Sequence, residues 1–153
     1  MVAKPKTQNL TIWASTKLEG NIHFGEGCIV HPSATILAEG GDIIFGDYCI
    51  IEELVVIKNV PRKDKEGNLV KRAMKIGNYN IFECGAQVST TDIGDLNEFG
   101  VKCSVPPGCQ IGSCCTITPM LALPSATRLQ NYSVYYKDGS IRKDMQPREE
   151  VKR

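Results

Sequence analysis

His23 and His31 are the only imidazoles in this chain of 153 residues, and they set the first limit on its chemistry. A catalytic zinc takes three protein ligands and keeps a fourth position for water. Two histidines eight residues apart, with none after residue 31, do not supply that set. Glu52, Glu53 and Glu83 have side chains suited to acid–base work. Without an assigned partner, however, neighbouring carboxylates read as solvated or interface groups. The seven cysteines include no CxxC pair, the spacing expected of a zinc ribbon or a dithiol redox motif. No GxSxG elbow, phosphate-cradling P-loop or HExxH helix is present. These residues therefore predict no catalytic group, no cofactor and no metal.

The elements that would hold such groups are written in a period of six. From residue 93, every sixth residue is large and apolar: Ile93, Phe99, Val105, Ile111, Ile117, Leu123 and Leu129. The same spacing links Ile12, Leu18, Phe24, Val30 and Ile36, then Phe45, Ile51 and Ile57, then Ile76, Phe82 and Val88. A helix buries a face every 3.6 residues and a flat strand every 2. Six suits a short strand followed by a corner, so three hexads close one triangular coil of a parallel β-helix. Glycine follows the first large residue of five coils (Gly25, Gly46, Gly77, Gly94 and Gly112), as a tight bend or a conformation closed to branched residues would require. Cys28, Cys49, Cys103, Cys109 and Cys115 stand four residues after a large residue, where the pattern predicts inward packing of small side chains. Asn80 and Asn97 share that slot in adjacent coils and predict a short asparagine ladder. Cys84 and Cys114 fall outside it and are expected to be more exposed.

The expected architecture is all-β: a single domain over 1–153 with six to seven triangular coils across 10–135. A long corner loop at 58–75 and a C-terminal cap and tail at 136–153 complete it. "YSVYYKDGSIRKD" reads as two short strands around Asp138-Gly139, and "MQPREEVKR" as a frayed end. Residues 58–75 hold seven basic side chains against two acids, which makes Lys63, Lys65, Lys71 and Arg72 candidates for docking on an acidic protein. As a long insertion, the segment is expected to be a structureless excursion. The net charge of +1 attracts neither nucleic acid nor an anionic membrane. No apolar run approaches the ~20 residues that span a bilayer. The opening "MVAKPKTQNL" lacks a signal-peptide core, so a cytoplasmic chain with reduced thiols is expected.

Two stretches, "VHPSATILAEGGDIIFGDYCIIEELVVI" (30–57) and "IGNYNIFECGAQV" (76–88), resemble the dynactin subunit 6 family of hexapeptide-repeat proteins over roughly residues 10 to 145. The resemblance implies a left-handed winding and a non-catalytic scaffold subunit of dynactin's pointed-end complex. It also implies partners: a sister β-helix subunit of the dynactin subunit 5 type, the actin-related protein at the filament's pointed end and other dynactin subunits. Localisation would then be cytoplasmic and cytoskeleton-associated, serving dynein-based transport. Glu52, Glu53 and Glu83, with the basic loop, become candidate interface residues. The alternative is an enzyme on the same fold, a γ-type carbonic anhydrase or an acyltransferase, because fold alone does not fix function.

Overall fold

A computed structural model describes residues 9–143. Each hexad places one large side chain inward and turns a corner, and the resulting strands stack in register into three flat faces. Face 1 runs through Thr11–Ile12, Ile29–Val30, Ile50–Ile51, Ile81–Phe82, Glu98–Phe99, Thr116–Ile117 and Ser133–Tyr135, all parallel, and ends on the antiparallel Ile141–Lys143. Face 2 comprises Lys17–Glu19, Thr35–Ala38, Val56–Asn59, Gln87–Val88 and Ser104–Val105. Face 3 comprises Ile22–His23, Ile43–Phe45, Met74–Ile76, Asp92–Ile93, Gln110–Ile111 and Arg128–Leu129. About seven coils result, with no helix among the described residues.

The large residues of the period form the core. Phe24 stacks on Phe45 with ring centroids 5.0 Å apart, and Phe82 stacks on Phe99 at 4.7 Å. From Phe24 to Leu129 every member is buried, whereas Ile12 and Leu18 in the first coil are partly buried. Three large apolar residues turned inward lie outside the period as read. Ile22, Ile43 and Met74 pair in register on face 3, so the slot at that corner admits large side chains in the first coils.

At the corner between faces 3 and 1 the slot has a stricter requirement than small size. Cys28 Sγ donates to the Gly46 carbonyl at 3.2 Å, and Cys49 Sγ to the Gly77 carbonyl at 3.2 Å. In the next coils, Asn80 Nδ2 donates to Gly94 O at 2.8 Å and Asn97 Nδ2 to Gly112 O at 2.9 Å. Cys115 Sγ then donates to Gln130 O at 3.1 Å. Each occupant supplies a donor to the same carbonyl of the following coil. The asparagines also accept: Asn97 N–H donates to Asn80 Oδ1 at 3.0 Å, and Cys115 N–H to Asn97 Oδ1 at 2.7 Å. The ladder is present, and thiol and amide are interchangeable in it because both donate.

The repeated glycines serve a different purpose from the one expected. None of Gly25, Gly46, Gly77, Gly94 and Gly112 has a positive φ. They are needed for space: a Cβ on Gly77 would stand 2.5 Å from Gly94 O and 2.1 Å from Asp95 Oδ1. Left-handed backbone instead occurs two residues later, at Tyr48 (φ 55°), Tyr79 (φ 58°), Leu96 (φ 60°) and Cys114 (φ 59°). An outer ladder ties these turns together. Asp47 N–H donates to Asn78 Oδ1 at 2.7 Å, Asn78 N–H to Asp95 Oδ1 at 2.7 Å and Asp95 N–H to Ser113 Oγ at 2.9 Å.

The insertion after Ile57 is ordered, in contrast to the structureless loop expected. Arg62–Lys63 and Leu69–Val70 pair antiparallel as a hairpin. Its turn is closed by Asp64 Oδ1, which accepts from Glu66 N–H and Asn68 N–H, both at 2.9 Å. The buried Asn59 clamps its base by donating through Nδ2 to Asp42 O at 3.2 Å and Arg72 O at 2.7 Å. The corner at 39–42 in the coil below acts as a footing. Glu39 pairs with Lys58 at 3.3 Å, and Gly40 O accepts from Arg72 N–H at 3.1 Å. At the other end, Ser133–Tyr135 and Ile141–Lys143 form the expected hairpin around Asp138-Gly139. The expected frayed tail from residue 145 lies outside the described residues.

Candidate interaction surfaces

The two imidazoles do not converge. His23 faces outward on face 3, with Nε2 3.7 Å from Asp42 Oδ2. His31 lies at the end of a face 1 strand, in a shallow depression shared with Glu52, Glu53 and Cys84. Among the described residues, no group of three or more His, Cys, Asp or Glu side chains is placed to hold a metal ion.

Burial and the interaction of Cys28 with Cys49 set the thiols, and that interaction lowers Cys28 to about 7. Cys103 is pushed up to about 12 by burial and the nearby Glu83 charge, and Cys109 is raised by burial. Cys49 is raised by its hydrogen bond with Cys28 and by burial. Cys114, expected to be exposed, is only 2% accessible, although the equivalent left-handed corner position leaves Tyr48 and Tyr79 exposed in earlier coils. Cys84 is the most accessible of the seven and donates its backbone N–H to Glu52 Oε1 at 3.1 Å. Alkylation of the folded chain at pH 8 should therefore modify Cys84 first. Peptide mapping that found Cys103 or Cys114 labelled as fast would contradict the packing.

The basic candidates lie on or beside the hairpin. Lys63 is exposed on its first strand, Lys65 in its turn, and Lys71 and Arg72 on the returning leg. Arg72 already has a partner within the chain, Asp92 Oδ2 at 2.8 Å. Leu69 and Val70 accompany these charges on the second strand, with Leu69 73% accessible. Segment 58–75 carries +5, which leaves −4 on the rest of the chain.

The acidic candidates occupy a different surface. Glu52 and Glu83 stand one above the other beyond the ends of adjacent face 1 strands, and Glu53 is exposed at the following corner. Burial, reinforced by the charges of Glu52 and Glu98, raises the Glu83 carboxyl above its ordinary value. The hexads also conceal outward residues on this face. Ile29, Ile50 and Ile81 stack in register and point outward, each partly accessible. At the adjoining corner Tyr48 and Tyr79 stack with ring centroids 5.4 Å apart, and Tyr79 is 52% accessible. The residue before each inward face 1 residue gives the signal: isoleucine at 29, 50 and 81, then Glu98 and Thr116.

Comparison with known proteins fits this architecture. No protein-family model matches the chain. It is 36% identical to dynactin subunit 6 of Nematostella vectensis over 126 residues, 76% of this chain and 68% of that protein. The chain belongs to the dynactin subunit 6 family. The dynactin subunit 6 proteins of Xenopus tropicalis and Danio rerio are each 32% identical over 128 residues. The matched region spans 62% of the Xenopus protein and 64% of the Danio protein. In this chain the hexad period is built as a left-handed parallel β-helix. Among solved structures, LpxA from Bacteroides fragilis, a UDP-N-acetylglucosamine acyltransferase, superposes with a TM-score of 0.54. The identity is 18%, with 90% of this chain and 61% of that chain covered. This likeness describes the shape of the coil and carries no chemistry across.

Proposed function

We propose that this member of the dynactin subunit 6 family is a non-catalytic scaffold subunit of the dynactin pointed-end complex. It pairs with a sister β-helix subunit and lies beside the actin-related protein at the filament end. There it supports cargo attachment for dynein in the cytoplasm. The observation that carries this reading is the 36% identity spanning 68% of a dynactin subunit 6 protein. The flat faces support it, as does the separation of His23 from His31. Native mass spectrometry of the tagged chain purified at native abundance tests it. Recovery of dynactin components in fixed stoichiometry is the expected result, and their complete absence would refute the assignment.

Within this reading the basic hairpin docks on an acidic partner surface, and Glu52, Glu53 and Glu83 meet a basic one. Lys63, Lys65 and Lys71 are exposed and appear in no ion pair of the described residues. Reversing all three to glutamate should leave stability within about 0.5 kcal/mol, as for ordinary surface changes. The same variant should weaken partner capture at least tenfold at low salt, with a smaller loss at high salt. Capture at the unmodified level, measured by quantitative pull-down, would remove the hairpin as a contact.

A further inference from the structure

The outer side of face 1 is not uniform. In its second to fourth coils Ile29, Ile50 and Ile81 form a continuous aliphatic stripe, and the Tyr48–Tyr79 stack makes a ledge along one side. Both tyrosines hold left-handed backbone, φ 55° and 58°, a conformation that costs an ordinary L-residue about 1–2 kcal/mol. Glycine or asparagine would hold that turn with less strain. The same left-handed turn recurs at this corner at Leu96, Cys114 and Tyr132, and in these two coils it carries large rings that face solvent.

Carboxylates dominate the borders, with His31 and Lys102 at the far edge. Glu52 and Glu83 lie along the far edge, Glu98 caps the stripe in the next coil, and Glu26 and Asp47 lie below the tyrosine ledge. No lysine or arginine occupies an outward position of face 1 in these coils among the described residues. Tyr48 feels this field: Glu26 is the main cause of its raised hydroxyl. An apolar centre with a charged rim is the anatomy of an interface rather than of solvated surface. The surface is also flat. Eight strands at about 4.8 Å spacing give a sheet roughly 34 Å tall without a groove for a helix. Such a sheet packs best against another sheet, whose side-chain rows interdigitate with its own.

We infer that the outer side of face 1 is a docking face for a partner protein that presents a flat β-sheet with an aliphatic or aromatic stripe between rows of lysine and arginine. The carboxylate rim steers and orients the encounter, while the Ile stripe and Tyr ledge determine how long the complex lasts. This face is distinct from the basic hairpin, so the chain offers two surfaces of opposite charge. The inference deepens the assembly role proposed above, and it adds the apolar contact to the acidic residues already named.

Photo-crosslinking in cells tests it. A benzophenone amino acid replaces Tyr79 in the full chain, and in a control replaces Ile44, which faces outward on face 3. The expected result is one dominant adduct from position 79, mapping to a strand flanked by Lys or Arg in a β-sheet protein. Ile50→Lys should lower its yield at least tenfold while the melting temperature stays that of the parent. If the captured peptide belongs to a dynactin component, both readings stand. If it belongs to another protein with such a sheet, the docking face stands and the assembly role falls. The face is refuted if position 79 gives no adduct, captures a helical protein or a second copy of this chain, or yields no more than position 44.

Discussion

Phe99→Ala should destabilise the chain by about 3–5 kcal/mol, read as the shift of the urea midpoint at constant m-value. Phe99 is fully buried on face 1, with its ring stacked on Phe82 at 4.7 Å and an interplanar angle of 4°. Its register neighbour in the next coil is Ile117, so truncation opens a hole bounded by two other large side chains. Neighbouring coils are fixed by strand pairing above and below. The walls therefore cannot collapse into the gap, and the cost lies toward the upper part of the range for cavity-forming changes. A loss under about 0.5 kcal/mol, typical of surface positions, would place Phe99 on the outside and remove the hexad register.

Asn97→Ala should cost a comparable amount, about 1.5–4.5 kcal/mol, by another route. Its side chain serves two backbone groups, the Gly112 carbonyl at 2.9 Å and the Cys115 N–H at 2.7 Å. Removing the amide takes the acceptor from the Cys115 N–H, at about 1–3 kcal/mol, and one donor from the Gly112 carbonyl, which keeps the Gly94 N–H at 3.2 Å and loses about 0.5–1.5 kcal/mol. Asn97→Cys should be milder, because the thiols of Cys28 and Cys49 donate to the equivalent carbonyls at 3.2 Å. It restores the donor to Gly112 O and leaves only Cys115 N–H without its acceptor. Denaturation of the two variants side by side measures the difference. Equal losses would show that the slot asks only for a certain volume.

The core was legible because its rule is repeated. A large apolar residue every sixth position specifies both the strand and its register, and the buried series from Phe24 to Leu129 follows it. The Asn80–Asn97 ladder was legible for the same reason, since two identical polar residues in one slot must stack. The donor role of Cys28 and Cys49 was not, because a cysteine in a small slot looks the same whether it fills space or donates. Nor was the burial of Cys114. Its position holds the same left-handed turn that leaves Tyr48 and Tyr79 exposed, so neither the hexad slot nor the turn distinguishes a covered corner from an open one. The hairpin at 62–70 escaped notice because it has no buried face of its own. Leu69 and Val70 face solvent, and order comes from Asp64 in the turn and Asn59 at the base. For the acidic candidates, composition located Glu52 and Glu83. Only the register placed them along the edge of an isoleucine stripe.

The vertical pairing has a consequence for how such a molecule can change. Ile50 meets Ile29 below and Ile81 above, and Gln87 likewise meets Val56 and Ser104. A coil thus interacts directly with the storey beneath it and the storey above it, so cooperativity passes from neighbour to neighbour as in a linear array of coupled units. Adding or excising one whole storey would leave every remaining floor with the same kind of junction. Height is then a quantity that insertions of a complete turn can adjust, while a partial turn would shift everything beyond it out of phase.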